Sequence, residues 1–286
     1  MSIAVKMRNY YNKSVTDEAI ESILTSNWLM KNKIYKSISN KKSIIICSSS
    51  DVDALIGGPF AMYIENKTEG MKCPVILTKN GATSLGQETY KCLNSWATNE
   101  DDLFDIIYII GGVVAIPDGC IGDSAKYTKT ENSDKTITTY TRKSGYSYSN
   151  FSQGEALKYT KKVIRICGQD RYRTSFVVAN QISNPTYLFF SNGMEYIDAY
   201  SIATAACYLR CPLIFLPQNY TYQADPSDLV AKGLNEYLDK VKGSVKKVFI
   251  AGGGQRNLIE VEEAVRKRLG LTMPNSVERI AGKNRY

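Results

Sequence analysis

The chain has 286 residues, 43% hydrophobic and 22% charged, with a net charge of +8. That is an ordinary globular composition, long enough for one large domain or two medium ones, and it excludes a disordered chain. The charge suits an anionic partner such as nucleic acid, a membrane surface or an acidic wall glycan, or serves solubility alone, and the absence of histidine removes the commonest general base and metal ligand.

In chain order, Met1 to Tyr10 shows no apolar h-region and no small-residue cleavage site, so no signal peptide is read and synthesis in the cytoplasm is expected. No run approaches the roughly 18 apolar residues of a membrane span, so no membrane insertion is expected. Residues Asp17 to Met30 place Ala19/Ile20, Ile23/Leu24 and Leu29/Met30 at helical spacing, with Thr16 as a cap. Ser43-Ile44-Ile45-Ile46-Cys47 lacks polar alternation and predicts a strand buried on both faces. Asp53 to Ile64 reads as a helix, weakened by Gly57-Gly58-Pro59. Cys73 to Thr78 is a strand, Ser84 to Trp96 a helix, and Ile106 to Ile110 a strand ending at Gly111-Gly112. Strands separated by helices predict βαβ units and a parallel sheet.

Residues 124–162 differ. They carry eight Lys and Arg against three Asp and Glu, and Lys135 to Arg142 alternates as a half-exposed strand would. A β-ribbon or long loop inserted in the first unit is expected. The order then restarts: a helix at Thr174 to Ile182, a strand at Thr186 to Phe190, and a helix from Asp198 to Leu209. A strand follows at Cys211 to Pro217, then a helix at Ser227 to Val241. The strand Lys247 to Ala251 ends in Gly252-Gly253-Gly254 and precedes a helix at Leu258 to Leu269.

One stretch is written twice. Arg165-Ile166-Cys167-Gly168-Gln169-Asp170-Arg171-Tyr172 and Arg279-Ile280-Ala281-Gly282-Lys283-Asn284-Arg285-Tyr286 share Arg-Ile-x-Gly-x-x-Arg-Tyr. Around it, Asp53-Ala54 matches Asp198-Ala199, Cys73-Pro74 matches Cys211-Pro212, and Gly111-Gly112 matches Gly252-Gly253. The glycine pairs lie 141 residues apart and the arginines 114, which places 27 extra residues in the first unit within this interval. Two tandem units follow, 1–172 with an N-terminal arm and the insertion at about 124–162, and 173–286. Met7 to Tyr11 is read as a worn copy of the same motif.

These motifs, with Arg173-Thr174-Ser175 after the first copy and a strand-Gly-Gly upstream of the second, resemble the cell wall binding repeat 2 family of clostridial surface proteins. The resemblance implies an α/β fold, here two tandem Rossmann/flavodoxin-like parallel-sheet units with a β-rich insertion in the first. In that family such modules usually occur in threes, pack as a trimer and anchor secreted proteins to anionic wall polymer. Two units and no secretion signal lead to the expectation of a non-enzymatic component of a phage or phage-tail-like particle, assembled in the cytoplasm and released by lysis. Its expected setting is a virion or extracellular particle. The alternatives are a cell-wall anchoring module that binds anionic polymer, and a nucleotide-binding Rossmann-type enzyme.

Candidate site residues follow from the same pattern. Arg165, Arg171, Arg279 and Arg285 are guanidinium forks for phosphate or carboxylate groups, or ion-pair anchors of a seam between units, for instance Arg171 with Asp198 or a neighbour. The regular recurrence with Asp53 and Asp198 at matching places favours the seam. Tyr172 and Tyr286 are expected to pack at that junction with their hydroxyls hydrogen-bonded. In the insertion, Lys135, Tyr140, Arg142, Lys143, Tyr146 and Tyr148 suit stacking on sugars or bases, pairing with a neighbouring subunit, or a plain surface loop.

The glycine pairs follow strands and precede helices, but neither is Gly-x-Gly-x-x-Gly, so a tight turn is the expected role. No serine triad is available without histidine. Cys47, Cys73, Cys167 and Cys211 lie in or beside apolar runs and are read as free and buried. Cys207 and Cys211 alone do not make a zinc site. No catalytic residue, metal or cofactor is expected. The expected partners are a second copy or other particle proteins and an anionic cell-wall polymer; nucleic acid is not expected.

Overall fold

The computed structural model describes residues 43–49, 52–68, 73–194, 197–217, 228–252 and 259–280. The helix expected at 17–30 and the worn motif at 7–11 lie outside them, as do Gly253, Gly254, Gly282, Arg285 and Tyr286. The first half runs β1 (Ser43–Ser48), α1 (Val52–Lys67), β2 (Val75–Thr78), α2 (Gln87–Trp96), β3 (Ile106–Ile110), β4 (Tyr127–Glu131), β5 (Ile137–Arg142) and β6 (Lys162–Ile166). The second half runs α3 (Arg171–Ala179), β7 (Tyr187–Asn192), α4 (Ile197–Leu209), β8 (Leu213–Leu216), α5 (Leu229–Val241), β9 (Lys247–Ala251), α6 (Ile259–Leu269) and β10 (Val277–Ile280).

Two sheets result. One has the order β2-β1-β3-β6-β5-β4, the other β10-β9-β7-β8. The pairs β1–β2, β1–β3 and β3–β6 are parallel, and so are β7–β8, β7–β9 and β9–β10. Reading β7, β8, β9 and β10 as counterparts of β1, β2, β3 and β6 gives one strand order in both sheets. The matched residues occupy matched places. Pro74 accepts a hydrogen bond from Ile45 N at 3.0 Å, and Pro212 accepts one from Phe189 N at 3.1 Å. Gly111 N donates to Ile166 at 3.1 Å, and Gly252 N donates to Ile280 at 3.0 Å.

The central strands are apolar on both faces because both faces are covered. One face of each sheet meets a shared layer of helices. Ile45, Cys47 and Ile110 of the first sheet, Phe189 and Phe215 of the second, and Ile56, Phe60, Val178 and Ile202 of α1, α3 and α4 form one core cluster. The outer faces have their own cores, around Ile44, Trp96 and Tyr159 in one case and Phe190, Leu238 and Val265 in the other. Gly57 and Gly58 weaken α1 as an isolated helix but permit this packing. A Cβ at Gly57 would lie 3.1 Å from Cys47 Sγ of the sheet below, and one at Gly58 would lie 2.9 Å from Cys207 Sγ on α4.

The insertion is a β-ribbon, as the alternation predicts. β5 pairs antiparallel with β6 and with β4, so the hairpin extends the first sheet at its edge. One expectation fails here. Gly111-Gly112 is followed by a 3-10 turn at Asp118–Cys120 and then the hairpin, not by an α-helix. The helix that precedes the last parallel strand in the second half, α6, has its place in the first half taken by the inserted ribbon.

Candidate functional site

A crevice of about 600 Å³ opens at the carboxyl ends of β1, β3 and β6. In the order β2-β1-β3-β6 the chain leaves β1 toward opposite sides, and ligands of open α/β sheets bind at such switch points. Val52 and Asp53 from the start of α1, the loop Gly111–Ala115 after β3, and Cys167 to Arg171 after β6 line it. The inserted hairpin supplies the remaining wall through Lys129, Glu131, Lys135, Thr138 and Tyr140. The volume lies within the roughly 300–1,000 Å³ of small-molecule sites.

The first copy of the repeated motif runs along one side of this crevice, and its residues divide the work. Arg165 is 1% exposed. Its Nη1 donates to Gly111 O at 2.8 Å, and its Nη2 to Ile116 O at 2.7 Å and Asp118 Oδ1 at 3.1 Å. Its Nε donates to the Tyr140 hydroxyl at 3.3 Å, which donates in turn to Asp118 Oδ1 at 2.8 Å. This guanidinium ties the loop after β3 to the end of β6. Arg279 does the same in the second sheet: Nη1 donates to Gly252 O at 2.8 Å and Nε to Glu262. The carboxylate partner comes from a 3-10 turn in one half and from α6 in the other.

Gly168 follows. A Cβ there would lie 2.6 Å from the Arg173 carbonyl carbon and from Thr174 N, so only glycine lets the first turn of α3 close over the strand end. Asp170 caps α3 by accepting from Arg173 N at 2.7 Å. Arg171 Nη1 reaches across to Gly193 O at 3.0 Å, at the end of β7 in the second sheet. Tyr172 lays its ring against Gly193, where any Cβ would collide with it. No hydrogen bond of the Tyr172 hydroxyl is seen among the described residues. The carboxyl whose charge Arg171 feels across the crevice is Asp53. Asp198 holds in α4 the second-residue place that Asp53 holds in α1.

Asp53 is 9% exposed. Burial pushes its carboxyl up to about 6, against the opposing pull of Arg171. A Cβ at Gly111, which has φ 125°, would sit 2.7 Å from Asp53 Oδ2. The loop glycine and the carboxylate therefore pack directly together.

The insertion residues separate into two groups. Tyr140 is fully buried and Arg142 nearly so, with Arg142 donating to Glu100 and to the carbonyls of Leu157, Lys158 and Thr160. Tyr148 is half-buried, its hydroxyl 3.2 Å from Ala97 O, and Tyr146 packs edge-on against Phe151. Burial pushes the Tyr140 hydroxyl up to about 12. These four tie the ribbon to the rest of the first half. Lys135 and Lys143 are exposed, and Lys143 donates to Ala125 O at 2.9 Å. Lys129 is paired with Glu131 at 3.1 Å and Asp118 at 3.5 Å, and Lys161 with Glu100 at 3.5 Å. Much of the ribbon's excess charge is thus satisfied internally.

The cysteines are free, five buried, while Cys167 and Cys207 are half-buried, so Cys167 is more open than expected. Among the described residues no group of acidic and cysteine side chains could hold a metal ion, and no helix is long and apolar enough to cross a membrane. Sequence reasoning missed Asp118, which no spacing marks, and Gly193 and Asp170, which a strand-ending glycine and an N-cap aspartate do mark.

With this geometry in hand, residues 165–256 match the family described as Cell wall binding domain 2 (CWB2). The resemblance carried by the repeated motif therefore holds over that segment. Among solved structures, the chain is similar to Cwp6 from Clostridium difficile, with 15% identity and a TM-score of 0.58 over 88% of this chain and 31% of that one. It is also similar to Cwp8 from Clostridium difficile, with 21% identity and a TM-score of 0.56 over 92% of this chain and 34% of that one. The chain spans about a third of the length of either, and likeness at this identity bears on fold alone. No curated protein sequence matches the chain.

Proposed function

We propose that the chain is a non-enzymatic cell-wall binding protein, built of two tandem Rossmann- or flavodoxin-like units at about 1–172 and 173–286, that holds an anionic wall polymer at the cell surface. The observation that carries this reading is the match of residues 165–256 to a wall-binding family. Both copies of the motif make the same arginine-to-glycine contact at the end of a parallel strand, which supports extending the unit to the first half. The net charge of +8 suits a polyanion. The other expected role, a phage or tail-like particle component, is favoured by no residue of the described structure.

The test is co-sedimentation with purified clostridial walls, before and after hydrofluoric acid removes phosphodiester-linked polymer. The chain is expected to pellet with intact walls and to remain in solution with stripped ones. Equal recovery with both, or none with either, contradicts the proposal.

A further inference from the structure

Among the described residues, only the first half has a ribbon beside its switch point, and residues of that ribbon wall the crevice. Its groups make two opposite demands. Asp53 lies at the crevice nine-tenths buried, and its carboxylate accepts no hydrogen bond from any described residue. A buried carboxylate without donors is costly, so the crevice calls for a ligand that supplies hydroxyl or amine hydrogens there. The second demand is for an anion. Lys135 pairs with no carboxylate among the described residues, and Arg171, which spends one guanidinium nitrogen on Gly193 O, lines the crevice. The amides of Gly112, Val113 and Val114 donate to no described acceptor. The rim carboxylates are otherwise engaged, Glu131 with Lys129 and Asp170 with the Arg173 amide.

Inorganic phosphate alone brings its negative charge against Asp53, and the only hydrogens it offers that carboxylate are on the anion itself. A neutral sugar leaves the cations and amides unused. A metal ion lacks the further ligands it needs among the described residues. We infer that this crevice is a sugar-phosphate site: Asp53 accepts from ring hydroxyls, while Arg171, Lys135 and the loop after β3 hold the phosphate. The inference rests on the wall-polymer reading only for the natural source of the ligand, a phosphorylated sugar of the polymer.

The test is calorimetric titration of the full chain at pH 7.5 with glucose 6-phosphate, glucose, inorganic phosphate and adenosine monophosphate. Glucose 6-phosphate is expected to bind at least tenfold more tightly than glucose or phosphate. Asp53→Asn should abolish the preference over phosphate, and Lys135→Gln, on the exposed ribbon, should weaken glucose 6-phosphate several-fold. If Asp53→Asn fails to fold, Lys135→Gln decides. Equal binding of phosphate and glucose 6-phosphate, or an unchanged Lys135→Gln variant, overturns the inference. Tighter binding of adenosine monophosphate overturns it in favour of a nucleotide site. Wall co-sedimentation run in parallel separates the two claims. Retention on walls without sugar-phosphate preference overturns the crevice alone, and preference without retention overturns the wall reading alone.

Discussion

Arg165 shows how far a repeated residue can be read from sequence. Its basic character fits a polymer fork as well as an internal anchor, while its regular recurrence favours the anchor. Burial decides between them, because a guanidinium 1% exposed with four hydrogen-bond partners cannot reach a polymer. Replacing it by Met leaves the buried carbonyls of Gly111 and Ile116 without their donor and removes one of the partners of Asp118, and is expected to cost about 3–5 kcal/mol. Arg279, with its side chain 17% exposed, should cost less in the same replacement. Urea unfolding midpoints of the two variants measure the difference. Asp53 gives a second prediction at this scale. Its folded pKa is raised from 3.8 to about 6, so its favourable contribution is complete below pH 4 and is lost as pH rises through 6. Asp53→Asn, which mimics the protonated form, should match the parent in melting temperature near pH 4. It should exceed the parent at pH 7 by an amount on the order of 2–3 kcal/mol. A difference that stays constant with pH contradicts this.

Among the elements, the strands were legible because β1, β3, β7 and β9 are apolar runs closed by serine, asparagine or glycine, and both of their faces are covered. The ribbon was legible from the Thr and Tyr alternation of β5 and from the unequal spacing of the matched residues. The missing helix after Gly111-Gly112 was not legible, since that glycine pair looks the same before a helix and before a 3-10 turn. The candidate crevice was only partly legible. Asp53 and Arg171 stood out by their repetition, but their meeting at one strand end depends on the sheet order. Lys135 gained its place only from the fold of the ribbon. The two glycines make a sharp test of the loop. Gly111 has φ 125° and abuts Asp53, so Gly111→Ala should cost about 1–3 kcal/mol. Gly112 has nothing within 4 Å of its Cβ position, and Gly112→Ala should stay within about 0.5 kcal/mol of the parent. Thermal melts of the pair check both statements.

For the whole molecule, the repeated motif has a double position. Arg165 closes the first sheet, and six residues later Arg171 and Tyr172 grip the end of β7 in the second. Further links join the halves: Tyr63 bonds Ser183, and Arg210 donates to Asn66 at 2.9 Å. The helices α1, α3 and α4 share one core with both sheets. A shared core of this kind predicts that the two sheets hold a fixed relation. On the proposed function, the chain recognises wall polymer by charge and not merely by adhesion to the wall. Surface plasmon resonance of the full chain over immobilised anionic wall polymer, with neutral peptidoglycan as reference, tests it across a salt series. Selective binding to the polymer that weakens steadily between 50 and 500 mM salt, on the order of tenfold or more, is predicted; equal binding to both surfaces, or no binding to the polymer at low salt, would contradict it.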